Sequence, residues 1–225
     1  MDPAEVVEQV TQSNGFQGLA PPLQIALFMG AMVLMSAALV SLTSFTRIII
    51  VLSFVRRALS TQEIPPNPVL IGLSLFLTLF VMGPTLENIN TTAITPYLNE
   101  EISGAEAWRI GSGQLHGFML KQTRKQDLAL FLHLSKAEAV YSPEETPMRV
   151  LIPAFVTSEL KTAFIMGFCI YIPFLLVDLV ISTILMSMGM MMMPPVVVST
   201  PFKILLFVLV DGWHLIARAF NSSFA

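Results

Sequence analysis

The sequence predicts an all-α protein: hydrophobic helical hairpins carrying one small helical extracytoplasmic domain. Three observations predict it. Long apolar runs carry no charge, one hydrophilic stretch divides them into two pairs, and a methionine-rich segment in the second pair stops at two prolines. Of the 225 residues, 54% are hydrophobic and 12% charged, against about 25% charged in a typical soluble domain. Mean hydropathy is +0.73. Such a chain is an integral membrane protein, or one buried in a large apolar assembly. The net charge of −3 leaves no basic footprint for nucleic acid. The single cysteine, Cys169, cannot form an intrachain disulfide.

Residues 1–22 are a polar N-terminal segment in which Glu5–Val10 favours a short helix. Its start, Met1-Asp2-Pro3-Ala4-Glu5, lacks the positive region of a secretory signal peptide. Residues 23–86 form the first hydrophobic hairpin. The run Leu23–Thr46 has no charge and continues past Arg47 through Val55. That is too long for one straight span of about 30 Å of hydrocarbon. Ser41, Thr43, Ser44 and Thr46 cluster at the join, where a bend or a packed extension is expected. Arg56 and Arg57 precede a proline-rich turn, which the positive-inside rule places in the cytoplasm. The second run, Val69–Leu86, ends near Gly83-Pro84.

Residues 87–148 make the hydrophilic domain, which this orientation puts on the outer side. The pattern from Glu106 to Ala139 predicts two helices, one around Leu115–Leu120 and one around Leu128–Leu134. Residues 149–225 form the second hydrophobic hairpin. Its runs are Ala163–Met186, interrupted by Pro173 and Asp178, and Ile204–Ile216.

Between them lies the densest methionine cluster of the chain: Met186, Met188 and Met190–Met193, ending at Pro194-Pro195. Methionine is flexible and polarisable and packs against irregular or changing partners. Proline ends a helix because its ring clashes and it has no N–H. The segment is expected to be a helix end running into a soft apolar loop. The residues leave two readings open: filler between membrane helices, or a compressible collar around a pore.

Ionisable groups in apolar segments normally face protein or a cavity. Glu159, Lys161, Asp178, Lys203, Asp211, His214 and Arg218 are the candidates. On one continuous helix, Lys203, Asp211, His214 and Arg218 would fall within an arc of about 80°, a polar stripe facing protein. Glu159 and Lys161, two apart, point to opposite sides. Glu159 is expected to pair with Lys203, within or between subunits, either as a structural ion pair or as a relay or latch.

Catalytic and metal motifs are lacking. His116, His133 and His214 are scattered, and there is no HExxH, GxSxG or Walker loop. No enzymatic activity and no cofactor are expected. An ion channel or proton-coupled carrier using Asp178, Asp211 and His214 is the alternative function the residues leave open.

Pro153-Ala154-Phe155-Val156-Thr157-Ser158-Glu159-Leu160-Lys161-Thr162-Ala163-Phe164, continuing to Gly167-Phe168, resembles the signature of the FliP family. Met188–Met192, Pro194-Pro195 and Pro201-Phe202-Lys203-Ile204 resemble its second block. The resemblance implies a core subunit of the flagellar type III export gate. It implies a homopentamer that assembles with FliQ and FliR, next to FlhB, into a helical cone. That cone would sit in the bacterial inner membrane and flagellar basal body, largely on the periplasmic side, and pass unfolded export substrates. It further implies that Met190, Met191 and Met192 form a pore gasket. Glu159, Lys203 and Arg124 would make subunit contacts.

Overall fold

The computed structural model describes residues 20–61, 63–135, 143–190 and 193–224. Among them there are helices and turns and no strand. The expected Glu5–Val10 helix lies outside the described residues.

Helix α1, Pro21–Leu42, starts at a proline, the residue best suited to a first turn. It is apolar all round and buries no residue within the chain. At 22 residues it is about 33 Å long. The long first run does break at its hydroxyl cluster: α2 starts anew at Phe45 and runs to Ala58. The Thr43 hydroxyl accepts the otherwise orphaned N–H of Phe45 at 3.3 Å.

Ser60, at φ 57°, closes α2. Helix α3, Asn67–Ile89, continues past the expected stop at Gly83-Pro84 and carries Pro84 in its interior. A π-helical turn, Asn90–Ile94, and the short α4, Thr95–Leu98, extend it further. The two helices expected in the hydrophilic region are α5, Gly104–Gln122, and α6, Lys125–Leu134. Ser103 caps α5 by accepting from the Glu106 N–H. Hydrogen bonding from Arg109, at 2.5 Å, holds the Glu106 carboxyl below its ordinary pKa.

Helix α7, Met148–Ser187, is one continuous helix of 40 residues. The expected run Ala163–Met186 is its second half; the helix also takes in the residues from Met148 on and carries Pro153 and Pro173 in its interior. The expected single helix over Ile204–Ile216 is instead two, α8, Pro195–Leu209, and α9, Gly212–Phe224, bent by 62°. The cause is Asp211, at φ 49°. A left-handed residue cannot propagate a right-handed helix.

Residues 41–225 form one compact unit. Helices α2 and α7 make its axis. Arg47 meets Glu159 and Phe54 lies against Gly167, so the contacts advance in step along both helices. The two helices therefore run parallel, an arrangement that requires the long excursion through α3–α6 between them. One core joins Ile48, Val51, Leu52 and Val55 of α2 to Ala163 and Phe174 of α7, Phe207 of α8, and Ile216 and Phe220 of α9. A second joins Met119 and Leu128 of the hydrophilic region to Leu151, Ala154 and Phe155 of α7.

Much apolar surface remains uncovered. Leu34 of α1 is 72% exposed, Phe76 of α3 74% and Leu209 of α8 75%. Helix α1, the Asn67–Leu98 helix and α7 are each long and apolar enough to cross a membrane; α8 with α9 makes a fourth if the bent pair is one span. The chain is a membrane protein.

Gly167 lets α2 and α7 approach. A Cβ there would lie 2.6 Å from the Phe54 ring. Gly167→Ala should cost about 1–3 kcal/mol through forced repacking, read as a lower unfolding midpoint in detergent. Gly83→Ala, where an added Cβ meets nothing within 4 Å, serves as the control and should leave the midpoint unlowered.

Candidate functional site: a methionine turn and two buried ion pairs

The methionine turn is closed by backbone chemistry. Helix α7 ends with Gly189 at φ 76°. The Gly189 N–H donates to the Met186 carbonyl and the Met190 N–H to the Leu185 carbonyl, both at 3.0 Å. This pair of bonds is a Schellman motif, which favours glycine because it needs a left-handed residue. Pro195 then opens α8 at a position where no N–H is required. The turn sits at the tip of the α7–α8 hairpin, as the contact between Asp178 and Lys203, on either side of it, requires. Met186, Met188, Met190 and Met193 are all exposed, from 40% to 67%. The expected helix end running into an apolar loop is therefore present. Met190 belongs to its described part; Met191 and Met192 lie outside the described residues.

The first ion pair centres on Arg47. Its Nε donates to Glu159 Oε2 at 2.9 Å, and Nη2 bonds Glu159 Oε1. Nη2 also donates to Gln122 Oε1 at 3.1 Å, and Nη1 to the Ser223 carbonyl and hydroxyl at 2.9 and 3.2 Å. The Phe224 ring lies 3.8 Å from the guanidinium carbon. Every donor direction of the planar fork is used. One side chain thus ties α2, α5, α7 and α9 together. Arg47 and Glu159 are 2% and 0% exposed.

The second pair lies near the other end of α2. Lys203 Nζ donates to Asp178 Oδ2 and to the Ser60 hydroxyl, each at 2.6 Å. The Ser199 hydroxyl donates to Asp178 Oδ1 at 2.6 Å. This cluster pins α8 to α7 and to the end of α2.

Within the chain, then, Glu159 and Lys203 do not pair. Each takes a partner on the helix packed beside it: Glu159 lies level with the start of α2, and Lys203 with Asp178 across the hairpin. Lys161 is exposed while Glu159 is buried, as their spacing requires. Arg124 sits at the start of α6, where its guanidinium donates to the Thr162 hydroxyl at 3.3 Å. Beside it, Ser158 donates to Asp127 at 2.8 Å. Lys203 is cut off from the polar stripe expected of the last helix, whose other members, Asp211, His214 and Arg218, keep their i, i+3, i+7 spacing on or next to α9. The break at Asp211 separates buried Lys203 from Asp211, His214 and Arg218, which are all exposed.

Arg47 was not among the sequence candidates. Its signal was present: an isolated arginine inside an apolar run must find partners in protein. Among the described residues, no group of three or more His, Cys, Asp or Glu side chains could hold a metal.

Comparison with known proteins bears on the same stretches. The model of the FliP family matches residues 28–220. The chain is 51% identical to the flagellar biosynthetic protein FliP of Pectobacterium carotovorum subsp. carotovorum, over 94% of this chain and 82% of the relative. It is 48% identical to the protein of that name from Bacillus subtilis, over 96% and 97%. With that from Aquifex aeolicus it shares 47% identity, over 93% and 89%.

Removing one partner of a buried pair strands the other charge. Arg47→Ala should destabilise the chain by about 3–5 kcal/mol, measured by denaturant unfolding in detergent. Arg47→Met combined with Glu159→Leu should recover much of that loss, because apolar replacement of a whole buried pair is often neutral.

Proposed function

The chain belongs to the FliP family, and from that membership we propose that it is a pore-forming subunit of the flagellar type III export gate. In this reading five copies surround a common axis and assemble with FliQ and FliR, next to FlhB, in the bacterial inner membrane and flagellar basal body. The cone lies largely on the periplasmic side, and unfolded flagellar proteins pass along its axis. Hydrophobic faces left bare by the single chain are covered by neighbouring subunits as well as by lipid.

The observation that carries the reading is the exposed methionine turn at the tip of a rigid hairpin. A helix stopped by a Schellman motif and restarted by proline holds the loop's base still. Met188, Met190 and Met193 are exposed there, with no charge among them. Repeated around an axis, Met190, Met191 and Met192 make an apolar ring. Apolar constrictions gate by excluding water and hence ions. Unbranched thioethers re-pack readily, so the ring yields to a passing polypeptide and closes behind it. Chemistry is not required: the work is sealing and passage, and the subunit is not an enzyme. Glu159, Lys203 and Arg124 support the gate from behind, holding α7 and α8 so that the turns of all copies lie in register.

Replacing Met190, Met191 and Met192 together by alanine should leave assembly intact and make the gate leak ions. Conductance of the purified FliP–FliQ–FliR complex in planar bilayers reads this directly. A correctly assembled variant as tight as the parent would remove the gasket from the mechanism. A selective current from the purified chain alone, without partners, would favour the channel or carrier reading.

A further inference from the structure

Three sets of methionines differ in their surroundings. Met82 and Met119 are sealed in the interior, at 1% and 0% exposure. Met29, Met32 and Met35 are exposed on α1, which is long and apolar enough to cross a membrane. Met188, Met190 and Met193 are exposed on the turn, where the backbone runs outside both α7 and α8. Lipid does not suit that third setting. Backbone outside helices is tolerated at membrane depth only where protein covers it or a water-filled cavity adjoins it. These side chains are not covered by their own chain, so the turn opens to water or to a neighbouring subunit. Its surroundings are also chemically bare. No Asp, Glu, Lys, Arg or His lies between Asp178 and Lys203 in the sequence, and those two are bonded to each other. The flanking hydroxyls are engaged: Ser187 donates to the Ile184 carbonyl and Thr200 to the Val196 carbonyl, each at 2.7 Å.

We propose that the turn is a site of reversible oxidation by peroxides, at Met188, Met190 and Met193, and that the resulting sulfoxides open the collar to water. The opening step rests on the gasket reading above; the modification site does not. Peroxide is carried in water and attacks the sulfurs it can reach. The thioether sulfur takes one peroxide oxygen: an S–O bond forms, the O–O bond breaks, and hydrogen peroxide leaves as water. Sulfur loses two electrons and the peroxide gains them. A flexible apolar side chain thereby becomes a polar one. With no charge beside it and the nearest hydroxyls engaged, the new oxygen takes its hydrogen bonds from water. A wetted ring no longer excludes ions as an apolar constriction does. Two thiols of a sulfoxide reductase restore the thioether, forming a disulfide and releasing water, so the change is reversible.

The test treats the purified complex with FliQ and FliR, reconstituted in lipid, with hydrogen peroxide. Peptide mass spectrometry follows the oxygens added. Met188, Met190 and Met193 should oxidise several-fold faster than Met82 and Met119. Conductance in planar bilayers should rise several-fold over the same time, and methionine sulfoxide reductases A and B with dithiothreitol should bring it back. Replacing Met188 and Met190–Met193 together by leucine keeps apolar side chains without sulfur, and that assembled variant should stay tight in peroxide. Should it not assemble, Met190→Leu alone keeps the comparison and should lower the leak that peroxide produces. Turn methionines no more reactive than Met82 and Met119 would overturn the proposal, whatever the turn does in the gate. A peroxide leak of parental size in the leucine variants would overturn the opening step. So would sulfoxides without a leak in a complex whose alanine variant does leak. If the alanine variant is tight as well, the gasket reading fails and the modification site stands.

Discussion

One guanidinium holds this chain in its tertiary arrangement. Arg47 is almost wholly removed from solvent and satisfied by Glu159, Gln122, Ser223 and Phe224, which lie on three other helices. A buried cation without such partners would carry a prohibitive desolvation penalty. The fold therefore has to deliver the start of α7, the end of α5 and the end of α9 to one point. That requirement sets the parallel register of α2 and α7. It also draws the hydrophilic region against the first turns of α7, where Met119 and Leu128 meet Leu151, Ala154 and Phe155. The Lys203–Asp178 cluster repeats the principle near the end of α2, bridging the hairpin to Ser60. Between the two charge clusters the contact is apolar and close, with Gly167 admitting the Phe54 ring.

Outside that framework the molecule is bare. Helix α1 buries none of its residues within the chain, and large aliphatic and aromatic side chains of α3, α7 and α8 are exposed. Water is not a tolerable neighbour for so much contiguous apolar surface. Lipid and neighbouring subunits both are, and they are chemically alike to an aliphatic side chain. A chain of this kind carries a rigid interior and unsatisfied faces at once. The interior is set by polar contacts made inside the chain, and the faces by contacts completed elsewhere.

Parts of this were legible in the residues. The uncharged runs announced spanning helices, and the apolar spacing between Glu106 and Ala139 announced α5 and α6. The hydroxyl cluster at Ser41–Thr46 marked a break, and Gly189 with Pro194-Pro195 marked the turn. Each is a local signal, because caps, turns and helix ends depend on residues within four or five positions. The misjudged features were non-local. The polar stripe over Lys203–Arg218 assumed an unbroken helix, and a single aspartate in the left-handed region cut Lys203 off from the rest of it. Asp is one of the few residues able to adopt that conformation, yet nothing in its neighbours requires it to do so. Glu159 and Lys203 were matched because both were charged and apolar-flanked; their partners, Arg47 and Asp178, follow only from which helices pack together.

The sequence by itself determined the class of protein, the helix break at Ser41–Thr46, the methionine-rich turn and the family, since composition and contiguous motifs survive without coordinates. The tertiary structure alone decided the parallel pairing of α2 with α7, the partners of each buried charge and the fastening of α9. The physical reason is one of range. Backbone caps and prolines act within a turn of helix. A buried charge finds its counterpart across more than a hundred residues, 47 to 159 and 47 to 223, and only chain folding brings those positions within hydrogen-bonding distance.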